Sequence, residues 1–145
     1  MGQSFQISCT NKSCKYSFYL REGPGFFLFA QTKKLEDSIK NGETDAPEDI
    51  KSLLQAGKKL SCVTSYLCSN CQELQTDSSP YIFEAIHVSP YGTIREYKIH
   101  YVYGKPKCKK CGKELIHILN PKSSKNKCPK CGQENMRVSF HGFYD

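Results

Sequence analysis

The chain has 145 residues, of which 38% are hydrophobic and 12% aromatic, and it contains no tryptophan. This length suffices for one ordinary domain or two very small ones. No apolar run approaches the about 20 residues that a membrane span needs. The first six residues carry neither a charged and apolar leader nor a myristoylation signal. We therefore expect a soluble cytoplasmic protein with no membrane association.

The net charge of +7 arises entirely from the last third of the chain. Residues 1–100 contain 11 Lys or Arg and 11 Asp or Glu, whereas residues 101–145 contain 10 and 3. Four thiolates around one Zn²⁺ carry a local charge of about −2, so two such sites would lower the net charge of the chain to about +3. The C-terminal third stays basic after this correction.

Two strands and an apolar run are predicted at the start of the chain. The strands cover Ser4–Cys9 and Lys15–Arg21, on either side of a tight turn that contains cysteines. The run from Gly23 to Phe29 (GPGFFLF) follows them, and we interpret it as a core strand. Its alternative interpretation is an exposed apolar edge that docks a partner.

Residues 32–58 are predicted to be helical. Asp45 is placed to cap a helix with a proline in its first turn. Ile50, Leu53 and Leu54 then form one apolar face at i, i+3 and i+4, and Gly57 ends the helix. A shorter helix is predicted before it.

The remainder of the chain is rich in predicted strands. Ser89–Gly92 is a turn sequence between two strand patterns, which predicts a β-hairpin. The predicted strands are Leu60–Leu67, Tyr81–Val88, Thr93–Tyr103, Glu114–Leu119 and Asn135–Phe140.

The strongest motif is a pair of Cys-x-x-Cys-Gly sequences near the C-terminus. Cys108 and Cys111 are followed, after sixteen residues, by Cys128 and Cys131. Two intervening residues allow a tight turn, or knuckle, to direct both sulfurs at one ion, and the following glycine tolerates a left-handed backbone. Residues 105–140 resemble the zinc-ribbon proteins. The resemblance implies a four-cysteine zinc site formed by these two knuckles.

A second and less regular set consists of Cys9-x4-Cys14 and Cys68-x2-Cys71. Each pair lies at a turn beside a predicted strand, so pairing of Ser4–Cys9 with Leu60–Leu67 would bring the two pairs together. This set resembles a zinc ribbon with a helical insertion between its knuckles. A mixed arrangement, with the four pairs exchanged between the two sites, is the alternative.

These motifs predict a small, zinc-stabilised α+β fold that contains two four-cysteine, zinc-ribbon-like modules with antiparallel strands and a helical insertion. Residues 1–75 would form the N-terminal module, with its insertion at about residues 32–58. Residues 76–104 would form a β-hairpin connector, and residues 105–145 a basic C-terminal zinc ribbon. Two zinc ions are expected as cofactors.

The sites are expected to be structural, and we expect no enzyme and no small-molecule substrate. A catalytic zinc keeps one coordination position open, which a site with four cysteine ligands does not. Cys62 is interpreted as a small buried side chain. The four histidines, His87, His100, His117 and His141, are interpreted as ordinary strand or surface residues. The alternatives are an enzyme that uses Cys62 or a histidine, and a rubredoxin-like iron site for electron transfer.

Lysines cluster around the C-terminal knuckles, and we expect them to share one end of a ribbon. Such a cluster favours phosphate contacts, so the leading partner is a nucleic acid. The alternatives are a protein-interaction or regulatory adaptor and a merely solvated lysine face. The candidate nucleic-acid-binding residues are Lys105, Lys107, Lys109, Lys110, Lys113, Lys122, Lys125, Lys127 and Lys130.

Overall fold

A computed structural model describes residues 2–123, 125–134 and 136–145. Over these residues the chain has the predicted α+β fold with antiparallel strands and two helices. The strands form three sheets. Asn135, the predicted start of the last strand, lies outside the described residues. The elements follow in the order β1 (Gly2–Ser8), β2 (Ser17–Glu22), α1 (Phe26–Lys40), α2 (Glu48–Gln55), β3 (Thr64–Cys68), β4 (Glu73–Asp77), β5 (Tyr81–Val88), β6 (Ile94–Tyr101), β7 (Ile116–His117) and β8 (Arg137–Tyr144).

The chain folds into two compact units, each built from separated segments. The ribbon unit comprises Met1–Phe27, Val63–Ser78 and Lys105–Asp145, and the helical unit comprises Leu28–Cys62 and Ser79–Gly104. The β5–β6 hairpin belongs to the helical unit, and both ends of the chain belong to the ribbon unit.

The ribbon unit contains two three-stranded sheets of the same topology. Their strand orders are β2-β1-β8 and β4-β3-β7, so each consists of a hairpin whose first strand pairs with a later strand. The predicted pairing of Ser4–Cys9 with Leu60–Leu67 is wrong, because β1 pairs with β2 and β8 instead. Ile7, Leu20 and Met136 are buried together with a cysteine in the core beneath the first sheet.

The helical unit packs α1 and α2 with the β5–β6 hairpin. Ile50 and Leu54 are buried as predicted, and the Gly57 N–H donates to the Leu54 carbonyl at 3.1 Å where α2 ends. The predicted capping by Asp45 is wrong. Pro47 occupies the capping position without a side-chain hydrogen bond, and Asp45 instead accepts from Lys51 Nζ at 3.0 Å. The core consists of Ile39, Ile50, Leu54, Leu60, Ile82 and Val102.

The apolar run that the sequence suggested as a core strand is the start of a helix. Helix α1 begins at Phe26, six residues before the predicted helical segment, and continues to Lys40. Residues from Ala30 onward favour helix, and the preceding phenylalanines extend it. Among the described residues, neither helix is long and apolar enough to cross a membrane.

Candidate metal centres

The eight predicted ligands meet in two groups of four. Within each group the sulfurs all lie within 4.8 Å of one another. The outer centre consists of Cys9, Cys14, Cys128 and Cys131, and the inner centre consists of Cys68, Cys71, Cys108 and Cys111. The predicted grouping of the ligands is therefore wrong. It placed Cys9 and Cys14 with Cys68 and Cys71, and it placed Cys108 and Cys111 with Cys128 and Cys131. The mixed arrangement is the one found, with the inner centre nested in sequence between the halves of the outer one.

Strand pairing explains this grouping. Strand β1 leads into Cys9 and pairs with β8, which follows Cys131, in the register Ser8↔Arg137. Strand β3 leads into Cys68 and pairs with β7, which follows Cys111, through Leu67↔Ile116. In each sheet the hairpin carries one cysteine pair at its turn, and the third strand brings the other pair beside it.

The two C-terminal knuckles have the same backbone geometry. In each, the N–H of the glycine after the second cysteine donates to the carbonyl of the first cysteine at 2.9 Å. Gly112 has φ of 74° and Gly132 has φ of 76°, which confirms the predicted left-handed position. Gln72 occupies the same position after Cys71 and adopts φ of 53° without being glycine.

The longer turn between Cys9 and Cys14 is held by Asn11. Its Oδ1 accepts hydrogen bonds from the Ser13 N–H at 3.1 Å and from Ser13 Oγ at 2.8 Å. The Asn11 N–H lies 3.4 Å from Cys9 Sγ, and the Cys14 N–H donates to the Asn11 carbonyl at 3.0 Å. The extra residues thus form an ordered turn that still directs both sulfurs inward.

The spacing of the sulfurs fits a tetrahedral metal ion. Zinc–sulfur bonds of about 2.3 Å place the sulfurs of a tetrahedron about 3.8 Å apart. The cross-pair distances are 3.5 Å and 3.8 Å at the outer centre, and 3.6 Å and 3.9 Å at the inner centre. A disulfide would require about 2.05 Å. Both centres are consistent with zinc-ribbon-like metal sites.

The thiols of each centre do not ionise independently. Burial raises the pKa of Cys9 to about 12, and a hydrogen bond with Cys111 raises the pKa of Cys71 to about 12. The backbone N–H of Cys111 lowers the pKa of Cys108 to about 6, and the backbone at Gln133 lowers that of Cys131 to about 7. Metal binding near neutral pH therefore releases protons from the high-pKa thiols and strengthens as the pH rises.

One side chain at the inner centre was not predicted from the sequence. Gln75 Nε2 lies 2.9 Å from Cys108 Sγ, and its Oε1 is buried without a hydrogen-bond partner among the described residues. Gln75 lies on β4, a strand that was not predicted. The signal that would have found it is its position four residues after Cys71, because a hairpin at the knuckle brings that position back to the ligand sulfurs.

Tyr16 links the two halves of the ribbon unit. It follows the Cys9–Cys14 turn, and its Oη accepts a hydrogen bond from the Leu74 N–H on β4 at 2.9 Å. Burial raises the pKa of the Tyr16 hydroxyl, so the group stays neutral and polar at physiological pH. This contact joins the outer-centre hairpin to the sheet of the inner centre.

Cys62 and the described histidines lie outside both centres. Cys62 is buried, as predicted, with Thr32 Oγ1 3.1 Å from its sulfur. His117 Nε2 contacts Thr64 Oγ1 at 3.2 Å, and burial lowers its pKa. Within the described part of the chain, the two metal-ligand groups contain cysteines alone.

The predicted lysine cluster is divided between the two centres. Five of the lysines lie within or beside the inner-centre knuckle: Lys105, Lys107, Lys109, Lys110 and Lys113. The other four lie before or within the outer-centre knuckle: Lys122, Lys125, Lys127 and Lys130. The premise that both knuckles complete one ribbon is therefore wrong. Four of these lysines also face carboxylates, in the pairs Lys105–Glu114, Lys110–Glu73, Lys122–Glu22 and Lys127–Glu134, at 3.7, 2.8, 2.8 and 3.8 Å.

In comparisons with known proteins, no family model, no curated protein and no solved structure matches the chain. The geometry of the two centres and of the surrounding surface is therefore the basis for assigning a function.

Proposed function

We propose that this chain is a zinc-stabilised protein-interaction module that docks a protein partner through the first turn of α1. The observation that carries the proposal is the exposure of three phenylalanines on that turn. Phe26 is 71% exposed, Phe27 70% and Phe29 59%. We call these three side chains the aromatic turn. Several large apolar side chains that are exposed to solvent on one turn are typical of interaction surfaces.

Zinc fits the donor set of both centres. Four thiolate groups in tetrahedral geometry favour zinc, and four protein ligands leave no position for a reacting water. We infer a structural role for the metal and no enzymatic one. The binding free energy of such a metal is largely folding free energy.

Metal analysis of the purified protein tests this part of the proposal. We expect two equivalents of zinc, and two equivalents of Co²⁺ in tetrahedral thiolate coordination after exchange. Cys62→Ser should keep both equivalents, whereas Cys128→Ser should not. Iron at either centre with a reversible one-electron couple would instead support electron transfer.

The start of the aromatic turn contacts Asp145. The Phe26 N–H donates to Asp145 Oδ1 at 3.4 Å, and a Cβ on Gly25 would lie 2.3 Å from the Asp145 carbonyl carbon. Phe26 and Phe29, at i and i+3, project on one side of the helix and suit an apolar groove that receives a helix.

Site-specific photocrosslinking tests the docking surface. A photoreactive phenylalanine analogue at position 27 or 29 should capture the same partner, and Phe26→Ser with Phe29→Ser should abolish its binding. Tyr91 is 97% exposed on the β5–β6 turn and gives the matched control position. Equal capture from positions 27, 29 and 91 would contradict the proposal.

A nucleic acid is the second candidate partner, favoured by one groove in the ribbon unit. This groove has a volume of about 580 Å³, and Lys15, Lys130, Tyr16 and Phe18 line it together with Glu73. Lysines beside aromatic rings suit single-stranded nucleic acid. Glu73 weakens the case, because Lys110 pairs with it and the charge of Lys130 acts on it as well.

Fluorescence anisotropy separates the two candidates. Single-stranded DNA, duplex DNA and RNA would be titrated with zinc-loaded protein at about 50 mM and about 200 mM salt. Steeply salt-dependent binding that disappears on charge reversal of Lys15 and Lys130, the two lysines of the groove, would favour a nucleic acid. No binding at low salt would leave the protein partner as the proposed function.

A further inference from the structure

The ribbon unit contains a second cavity, of about 430 Å³, whose walls are mainly apolar. Ile7 and Met136 contribute from the core beside the outer centre, and both are buried. Leu67 and Leu74, a directly opposed pair on β3 and β4, contribute from the sheet of the inner centre, and Leu119 contributes from the loop after β7. Cavities of about 300–1,000 Å³ with apolar walls and a few polar groups are typical ligand sites.

Few polar side chains line this cavity, and their surroundings determine their charge and hydrogen bonding. Burial keeps the His117 ring neutral by lowering its pKa. Asn126 Nδ2 donates to the Asn120 carbonyl at 2.7 Å, so this amide holds the loop. Among the described lining residues, Lys127 supplies the one ammonium group, and none is an aspartate, glutamate or arginine.

The Lys127 ammonium is available to an anionic ligand. Its nearest carboxylate, Glu134 Oε1, lies 3.8 Å away, and the two side chains are 68% and 63% exposed. Such a loose and solvated ion pair contributes little free energy. A carboxylate anchored by an apolar tail in the cavity would compete with Glu134 effectively.

We propose that this cavity binds an amphipathic carboxylate, with a straight alkyl chain against Ile7, Leu67, Leu74 and Met136 and the carboxylate at Lys127. The volume lies at the lower end of the range for ligand sites, which favours a chain of short to medium length. The proposal is for a binding site, and it includes no reaction of the ligand. The site is separate from the aromatic turn and does not depend on its function.

Titration of the zinc-loaded 145-residue chain with octanoate, decanoate and decanol tests the proposal, with amide chemical shifts as the readout. Decanoate should bind one to one, shift amides around Leu67, Leu74 and Met136, and bind about tenfold more tightly than octanoate because two more CH₂ groups are buried. Decanol should bind more weakly than decanoate, since it lacks the charge that faces Lys127.

Variants distinguish this site from nonspecific binding. Lys127→Gln should weaken decanoate by about twofold to fivefold and leave decanol unchanged. Lys125→Gln, in the same loop but outside the lining, should alter neither. Leu119→Trp should fill the cavity and abolish binding while zinc content and the amide spectrum show an intact fold. Absence of saturable decanoate binding, or binding that survives Leu119→Trp in the folded protein, would overturn the proposal.

Discussion

At the scale of single residues, the contact between Gln75 and Cys108 sets the two metal centres apart. A side-chain N–H lies 2.9 Å from a ligand sulfur at the inner centre, whereas the comparable contact at the outer centre, from Asn11 Nδ2 to Cys131 Sγ, is 3.9 Å. A donor to a thiolate stabilises its charged, metal-binding form. The inner centre therefore has the stronger hydrogen bond from a neighbouring side chain to a ligand sulfur.

Gln75→Leu should weaken zinc binding at the inner centre by about tenfold to a hundredfold, because the thiolate of Cys108 loses this donor. Competition with a chromophoric chelator measures the affinity. Gln133→Leu is the matched control, since Gln133 is an exposed glutamine beside the outer centre with no side-chain contact to a sulfur in the described structure. Equal losses in both variants would contradict a specific role for Gln75.

A second prediction at this scale concerns the carboxylate beside His100. The buried His100 ring has Nδ1 2.7 Å from Asp49 Oδ2 and Nε2 3.4 Å from Glu84 Oε1. Its hydrogen bond holds the pKa of the Asp49 carboxyl below the usual range. A depressed pKa stabilises the folded state above the ordinary carboxyl pKa of about 3.9, and this stabilisation is lost as the pH falls through the folded value.

In His100→Leu, the pKa of Asp49 should therefore rise towards about 3.9, as measured by carbonyl carbon shifts in a pH titration. Glu84→Gln removes the longer contact and should change the Asp49 pKa much less. An unchanged Asp49 pKa in His100→Leu would show that the depression has another cause.

At the scale of elements, three knuckles share one backbone turn but not one residue type. Gly112 and Gly132 occupy the left-handed position after the second cysteine, and Gln72 occupies it in the Cys68–Cys71 turn. A side chain in this conformation costs about 1–2 kcal/mol, which glycine avoids. Gln72 thus stores strain beside the inner centre.

Gln72→Gly should raise the free energy of unfolding of the zinc-loaded protein by about 0.5–1 kcal/mol, the relieved strain less the added entropy of the unfolded chain. Gly112→Ala should lower it by about 1–2 kcal/mol. Denaturant unfolding measures both. Gln133→Gly is the control, because its position does not adopt a positive φ and glycine there should only destabilise. Destabilisation by Gln72→Gly would contradict the strain argument.

The elements also show which parts of the fold could be predicted from sequence. The eight ligands, the knuckle glycines and the β5–β6 hairpin follow from spacing within a few residues. The grouping of the ligands does not, because it depends on the pairing of β1 with β8, which are far apart in sequence. The phenylalanines at the start of α1 have the composition of a buried strand. They are helical because they continue into the helix-favouring residues from Ala30 onward.

At the scale of the whole molecule, the nested centres imply an order of assembly. The facing halves of the inner centre are separated by 37 residues (Cys71 to Cys108), and those of the outer centre by 114 (Cys14 to Cys128). Closing the longer loop first costs about 1 kcal/mol more in chain entropy. Formation of the inner centre shortens the loop that the outer centre must close, so we expect the inner centre to bind zinc first.

Loss of one ligand at each centre should therefore have unequal effects. Cys128→Ser should remove the outer zinc and leave one equivalent bound at the inner centre with nearly unchanged affinity. Cys108→Ser should remove the inner zinc and also weaken the outer centre by about fivefold, since the outer loop then closes at its full length. Zinc stoichiometry and chelator competition measure both effects, and Cys62→Ser should retain two equivalents. Loss of both ions in Cys128→Ser, or an outer affinity that Cys108→Ser leaves unchanged, would contradict inner-first assembly.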